Sequence, residues 1–301
     1  MISMINSIFT TFIGLLPKPL VSIFAKQYVA GESINSVLKV VRKINNSGFK
    51  ATIDILGEHI TNKEEINNIV AEYNKLYTQI NKQNLDANIS IKPTHIGLDI
   101  SLDYALSNFN NILNNAKKYN NFLRIDMESS KVTDDTIAIY NKLLENFSNV
   151  GPVFQAYLYR TYKDIQNMTN KSLLNFRLCK GIYKEPENIA IANYKKVNEN
   201  YLKILEYAFE HKIYIGIATH DKHLIDQCYS LIKKHNVSRD QFEFQVLYGV
   251  PMDKYMEKHK QNNYNVRIYV PYGKQWYEYS IRRIKENPNI LFYVLKNLFK
   301  R

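Results

Sequence analysis

Eight short apolar runs, separated by longer segments with a helical beat, constrain this chain more than any single motif does. The runs span residues 51–55, 88–91, 122–127, 153–157, 175–180, 214–219, 242–247 and 266–270. They are rich in Ile, Val, Phe and Tyr, and several are nearly continuous in apolar residues, as strands buried on both faces are. Between them, 63–81, 104–119, 134–146, 188–211 and 222–235 carry apolar residues at steps of three and four, the spacing of helices with one buried face. Asp134 and Asp221 stand at N-cap positions, and Gly151-Pro152 punctuates the chain ahead of a strand. Strands and helices in this alternation predict an α/β fold, a single (β/α)8 TIM-type barrel. An open doubly wound sheet is the runner-up, and it differs in whether the last strand pairs with the first. No G-x-G-x-x-G and no P-loop follows any run, which argues against a Rossmann-type site.

The 301 residues suit one barrel, since folds of this class reach that size as a single domain. Residues 1–48 read as an N-terminal helical extension packed on the barrel, broken at Ala30-Gly31-Glu32-Ser33, where Ser33 caps the next helix. Residues 49–301 read as the barrel itself. The stretch 1–16 is apolar but interrupted by Ser3, Asn6, Ser7, Thr10 and Thr11, and it is shorter than the roughly 20 residues of a spanning helix. It has neither a basic n-region nor a small-residue cleavage site. Ile2, Ile5, Ile8, Phe9 and Phe12 suit either a helix packed on the domain or an interfacial membrane contact. Cys179 and Cys228 are the only cysteines. Two thiols without a C-x-x-C make neither a disulfide framework nor a structural zinc site, so a cytoplasmic location is expected.

Lys+Arg 40 against Asp+Glu 28 leaves a net charge of +12. The excess is mostly lysine, spread without a long basic run, so no nucleic-acid partner is expected; an anionic membrane surface is the other partner such charge suits. The seven histidines form no H-x-x-x-H or H-E-x-x-H, and no metal is expected.

In a (β/α)8 barrel the site lies at the C-terminal ends of the strands. Those ends carry Lys92, Asp126 with Glu128, Gln155, Arg177 with Lys180, Thr219 with His220, Gln245 with Leu247, and Tyr269. Taken singly, each has a plain structural explanation: a solvated lysine, a loop-capping aspartate, a satisfied structural histidine. A barrel with no site needs only turn residues there, so the clustering is the signal. Lys180 followed by Gly181 lets a cation and a close backbone approach meet one ligand, and phosphate is the expected anion. The last helix reads Tyr279-Ser280-Ile281-Arg282-Arg283-Ile284-Lys285-Glu286. Glu286 follows the two arginines by four and three positions, and Tyr279 precedes them by three and four. All four can share a broad face, with Glu286 holding one guanidinium and Tyr279 packing on the other. Two oriented guanidiniums form a clamp for a small carboxylate; a solvated charged face is the plainer explanation.

The ordered segments Arg124-Ile125-Asp126-Met127-Glu128, Arg177-Leu178-Cys179-Lys180-Gly181-Ile182-Tyr183, Ala218-Thr219-His220-Asp221, Phe244-Gln245-Val246-Leu247-Tyr248-Gly249, Arg267-Ile268-Tyr269-Val270-Pro271-Tyr272-Gly273 and Tyr279-x-x-Arg282-Arg283-x-x-Glu286 resemble the proline dehydrogenase family in its monofunctional bacterial form. The resemblance runs from about Ala51 to Pro288. It implies an FAD-dependent barrel that oxidises L-proline to pyrroline-5-carboxylate by hydride transfer to flavin N5. It implies that Arg282 and Arg283 bind the substrate carboxylate while Glu286 orients an arginine. Tyr183, Leu247, Tyr269 and Tyr279 would wall the ring. Lys92 and Asp126 would lie near substrate and flavin as a charge pair tuning the site. Asp126, Gln155, Arg177, Cys179 (through its backbone), Lys180, Gly181, Thr219 and His220 match cofactor-holding positions. A membrane quinone is the implied electron acceptor, peripheral contact with the inner face of the cell membrane the implied habit, and a separate pyrroline-5-carboxylate (glutamate semialdehyde) dehydrogenase the implied downstream partner. The sequence departs from the family where Ile182 stands in place of a small residue, which puts substrate range in question and keeps hydroxyproline or another cyclic amino acid open. Two rival functions share the same fold. One is a barrel lyase or aldolase with Lys92 or Lys180 as a Schiff-base lysine. The second is a basic barrel that binds anionic lipid or RNA without catalysis.

Overall fold

The computed structural model describes residues 18–286, apart from the side chains of Leu20, Phe24, Arg282, Ile284, Lys285 and Glu286; the helix expected within 1–16 lies outside the described residues. Eight parallel strands close into one barrel in sequence order. They are β1 (Lys50–Ile55), β2 (Ala87–Ile91), β3 (Leu123–Ile125), β4 (Val150–Gln155), β5 (Asn175–Cys179), β6 (Tyr214–Ala218), β7 (Phe242–Leu247) and β8 (Val266–Tyr272). Closure is made by β8 lying parallel to β1, from Lys50↔Arg267 to Ile55↔Tyr272, which decides for the barrel against an open sheet. Two described helices, α1 (Lys18–Tyr28) and α2 (Ile34–Asn46), precede the barrel. The strands are followed in turn by α3 (Lys63–Lys82), α4 (Leu102–Lys118), α5 (Thr133–Leu144), α6 (Thr161–Asn167), α7 (Tyr194–Glu210), α8 (Lys222–Lys234), α9 (Asp253–Gln261) and α10 (Trp276–Glu286).

Helix starts follow side-chain chemistry. Ser33 makes a capping box with Ser36 at the head of α2, and Asp221 accepts from the amides of His223 and Leu224 at the head of α8. Asp134 is not a cap: it lies in the first turn of α5, behind Val132, where its charge faces the positive end of the helix. The helix expected over 188–211 begins only at Tyr194, with Asn193 as its cap. Residues before it pair instead with the loop after β4, through Tyr159 N–H to Ile189 O at 3.2 Å and Ile191 N–H to Tyr157 O at 2.7 Å. Gly151 and Pro152 lie inside β4 rather than ahead of it. A Cβ at position 151 would sit 1.9 Å from Asn175 O and 2.7 Å from the Arg124 guanidinium, so this glycine makes room for a buried arginine.

The strands alternate more than their sequences suggest. Ile53, Ile89, Ile125, Phe154, Leu178, Ile217 and Phe244 are all buried within the main apolar core, while their polar neighbours fill the barrel. Arg177 on β5 reaches Ser90 on β2 and Asp126 just beyond β3, and Tyr269 on β8 reaches Asp126. Bonds between strands that are not neighbours must cross the interior. Toward the N-terminal end, Arg267 Nε donates to Glu243 Oε1 at 2.7 Å, and Arg124 donates to Asn175 O at 2.5 Å and to its Oδ1 at 2.6 Å. Charge buried this way holds only while each group keeps its partner.

Candidate active site

The polar interior opens at the C-terminal end into a cavity of about 480 Å³. Its floor is Arg177, Gln245 and Tyr269, and its wall runs through Cys179, Lys180 and Gly181 after β5 and Thr219 and His220 after β6. Leu247 and Arg283 close the side under α10.

Arg177 is the centre of this floor. It is 8% exposed, its Nη2 donates to Asp126 Oδ1, and its guanidinium lies 5.0 Å from the centre of the Tyr269 ring. Burial is the largest single influence and works against its charge, but Asp126, Tyr269, Cys179 and Asp54 together outweigh it and raise its pKa. Its Nη1 is buried with no hydrogen-bond partner among the described residues, and the residue is part of the cavity lining. Asp126 takes Ser90 Oγ at 2.6 Å and Tyr269 OH at 2.9 Å. Burial alone would favour its neutral form, yet Arg177 and then Lys92 hold its carboxyl below the usual range.

Lys92 does not form the direct pair with Asp126 that the resemblance implies. Its ammonium sits on Asp54, 2.9 and 3.0 Å from the two carboxylate oxygens. Asp54 takes the bond because Asp126 is already occupied by Arg177, Ser90 and Tyr269. Burial lowers the Lys92 pKa, and Asp54 and Asp126 overcome it, so the lysine stays charged. No motif singles out Asp54, although a lone acid inside the run Lys-Ala-Thr-Ile-Asp-Ile is a signal. Gln155 donates to Glu128 O at 2.8 Å, and Glu128 in turn takes both the N–H and the hydroxyl of Thr94 at 3.0 and 2.6 Å. Lys92, Asp126 and Gln155 thus frame the site from behind and do not line the cavity.

The wall is set by one carboxylate with two tasks. Asp221 Oδ1 caps α8, while Oδ2 takes Lys180 Nζ at 2.6 Å, Tyr194 OH at 2.6 Å and Asn198 Nδ2 at 2.9 Å. The sequence points only to the cap. Gly181 adopts φ +112°, and a Cβ there would sit 2.0 Å from the Tyr157 ring; only glycine lets the backbone turn at this wall. His220 Nε2 accepts from the Leu247 amide at 2.9 Å, so the neutral ring carries its proton on Nδ1. Burial, then Arg283, lowers its pKa to about 4, and it is neutral at pH 7. Burial raises the Cys179 thiol to about 11.

Helix α10 lies over this mouth. Tyr279 packs with Val29 and Leu56, and the Arg283 guanidinium stands 5.2 Å from the Tyr279 ring centre. Arg282 and Glu286 are on the same helix, with side chains outside the described residues. Tyr183 is half-buried in the loop between β5 and α7 and Tyr279 is buried; neither lines the cavity. Ile182 does, at 49% exposure. Away from the mouth, Glu206, Glu210 and His235 bring ligand atoms within 4.8 Å of one another, but Lys234 already sits on Glu206 at 2.6 Å.

Residues 37–291 match the family model described as proline dehydrogenase. The chain is 38% identical over 277 residues to proline dehydrogenase 1 of Bacillus subtilis subsp. natto, covering 92% of this chain and 91% of that one. It is 32% identical over 281 residues to proline dehydrogenase of Deinococcus radiodurans, covering 92% and 90%. Among solved structures it is similar in fold to proline utilization A (PutA) from Bdellovibrio bacteriovorus inactivated by N-propargylglycine, with a TM-score of 0.80 and 24% identity. That likeness covers 88% of this chain and 32% of the larger protein.

Proposed function

The chain belongs to the proline dehydrogenase family, and from that premise we propose that it oxidises L-proline to pyrroline-5-carboxylate with FAD held in the barrel mouth. The observation that carries this reading is the donor set gathered on one cavity of about 480 Å³, where Arg177, Lys180, Gly181, Thr219 and His220 all contribute to the lining and Arg177 keeps a buried Nη1 without a partner among the described residues. The donor set suits a flavin dinucleotide: Arg177 for a ring acceptor, Lys180 and the Gly181 backbone for phosphate oxygens, the neutral His220 and Thr219 for ribityl hydroxyls. Bound FAD supplies the two-electron acceptor for the hydride that leaves the substrate ring carbon beside nitrogen.

The remaining work belongs to the chain. Arg283, stiffened by Tyr279, and Arg282 beside it hold the substrate carboxylate, because two guanidiniums match its two oxygens. Leu247 and Tyr269 bound the ring and fix which carbon faces the cofactor. The substrate amine must be neutral before an imine can form. Lys92, kept charged by Asp54, disfavours a second cation beside it and so eases that deprotonation. The same charge argues against Lys92 as a Schiff-base nucleophile, which needs a neutral amine. Electrons pass onward to a membrane quinone. The net charge of +12 supports attraction to an anionic membrane face, and none of the described helices is long and apolar enough to cross one. Further oxidation of the product falls to a separate dehydrogenase.

A visible spectrum of the purified protein, repeated anaerobically with L-proline, tests the proposal. A flavin spectrum that bleaches is expected. A bound flavin that proline leaves oxidised overturns the substrate and directs attention to Ile182. A protein that takes up no FAD on reconstitution overturns the reading altogether.

A further inference from the structure

The loop between β5 and α7 supplies part of the cavity wall at each end: Lys180, Gly181 and Ile182 where it leaves β5, Tyr194 where it enters α7. Its root is fastened to the loop after β4, through Tyr157 N–H to Lys180 O at 2.8 Å and the bonds at Ile189 and Ile191. Its middle crosses the barrel rim toward β3. There the Glu185 carboxylate takes the Ser130 backbone N–H at 2.7 Å on one oxygen and the Ser130 hydroxyl at 2.6 Å on the other. The same device recurs one loop away, where Glu128 takes the N–H and hydroxyl of Thr94. A hydroxyl residue that offers both donors to one carboxylate fixes the position and the orientation of the acid at once. Glu185 lies two residues beyond Tyr183 and three beyond Ile182, so the clasp sets the path of the residues nearest the mouth.

We propose that Glu185 is a positioning residue: its clasp on Ser130 holds the β5–α7 loop across the mouth and so sets Ile182 against the substrate, leaving the cofactor half of the site unaffected. This rests on the functional reading above. The two halves separate because Arg177, Lys180 and His220 are held by Asp126, Asp221 and the Leu247 amide, none of which belongs to the clasp.

The test compares Ser130→Ala, Glu185→Ala and Glu185→Gln with the wild-type protein. One lost charge-assisted bond predicts a KM for L-proline raised about tenfold in Ser130→Ala and at least as much in Glu185→Ala. The value for kcat is expected to stay within about twofold, with flavin content and far-UV circular dichroism unchanged. Glu185→Gln keeps an acceptor for the Ser130 N–H and should fall between Glu185→Ala and wild type. A second readout needs no activity. Lys184 is exposed, and trypsin cleavage after it, followed by mass spectrometry, should be several-fold faster in Ser130→Ala, which leaves the Lys184-Glu185 bond chemically unchanged. Unchanged KM and unchanged cleavage would overturn the proposal. So would a fall in kcat or flavin content at constant KM, which would put Glu185 on the cofactor side. A wild-type protein that binds no flavin would defeat the functional reading instead, and the cleavage comparison would still decide whether the clasp holds the loop.

Discussion

Breaking the Arg177–Asp126 pair one side at a time, and then on both sides, gives the sharpest quantitative test of this barrel. Both residues are buried, at 8% and 6% exposure, and Asp126 also satisfies the hydroxyls of Ser90 and Tyr269. Asp126→Leu leaves a buried guanidinium without its counter-charge, a loss of about 3–5 kcal/mol. Arg177→Met strands the carboxylate and costs about 3 kcal/mol by the same reasoning. The double variant removes both charges and puts two apolar side chains of similar reach in their place, which is close to neutral in other buried pairs. Its cost should therefore fall at least about 2 kcal/mol short of the sum of the singles. Urea unfolding is read by far-UV circular dichroism and by the fluorescence of Trp276, the only tryptophan, which reports on α10. Acid supplies a second axis. The folded-state pKa of Asp126 is depressed, since Arg177 and Lys92 outweigh the effect of burial. Its contribution is thus present above the ordinary carboxyl value of 3.8 and is lost as pH falls through the lower folded value. The gap between wild type and Asp126→Leu should be constant from pH 7 to about pH 4 and narrow below it. Additive single costs, or a single cost under about 1 kcal/mol, would refute the reasoning, because the interior would then be compensating each charge by other means.

Two further outcomes follow from the mouth of the barrel. Arg283→Lys keeps the charge but loses the planar fork, so KM for L-proline should rise roughly 10- to 100-fold while flavin content is retained, as steady-state kinetics and the flavin absorbance ratio would show. Cys179, with its thiol pushed up to about 11, and the buried Cys228 should both resist alkylation at pH 8 in the native protein, whereas urea should release two reactive thiols in a thiol titration.

The barrel was legible because its evidence is distributed. Each strand run is bounded by turn residues, and no one of them has to be right for the alternation to stand. The edges were less legible wherever a side chain served a neighbour instead of its own element. Ile189 and Ile191 fall at the head of a segment whose later residues carry a helical spacing, yet they spend their backbone on the β4 loop. Gly151-Pro152 reads as punctuation, but the glycine is there for Arg124. In the site, residue types at strand ends could be read directly, whereas pairings could not. Lys92 could have faced either of two acids, and only the barrel's geometry gives it to Asp54. Asp221 announces its capping role by standing just ahead of a helical spacing, while its hold on Lys180 joins residues 41 apart in the chain.

The polar filling of this barrel and the position of its site are one fact rather than two. Bulky aliphatic layers would fill such an interior to the rim. Here the filling is a ladder of held charges. Arg267 and Gln245 both donate to Glu243 Oε1 at 2.7 Å, which closes the barrel toward its N-terminal end and fixes which end of the Gln245 amide is committed to Glu243. Gln245 is also part of the cavity floor, so the lower layer orients a group that a ligand meets. One layer up, Asp126 takes Nη2 of Arg177 and leaves the buried Nη1 without a partner among the described residues. Each rung takes up one side of a polar group that also lines the cavity, and α10 adds Arg283 to the same lining. A donor held in this way needs little reorganisation when its acceptor arrives, which is the condition for electrostatic preorganisation.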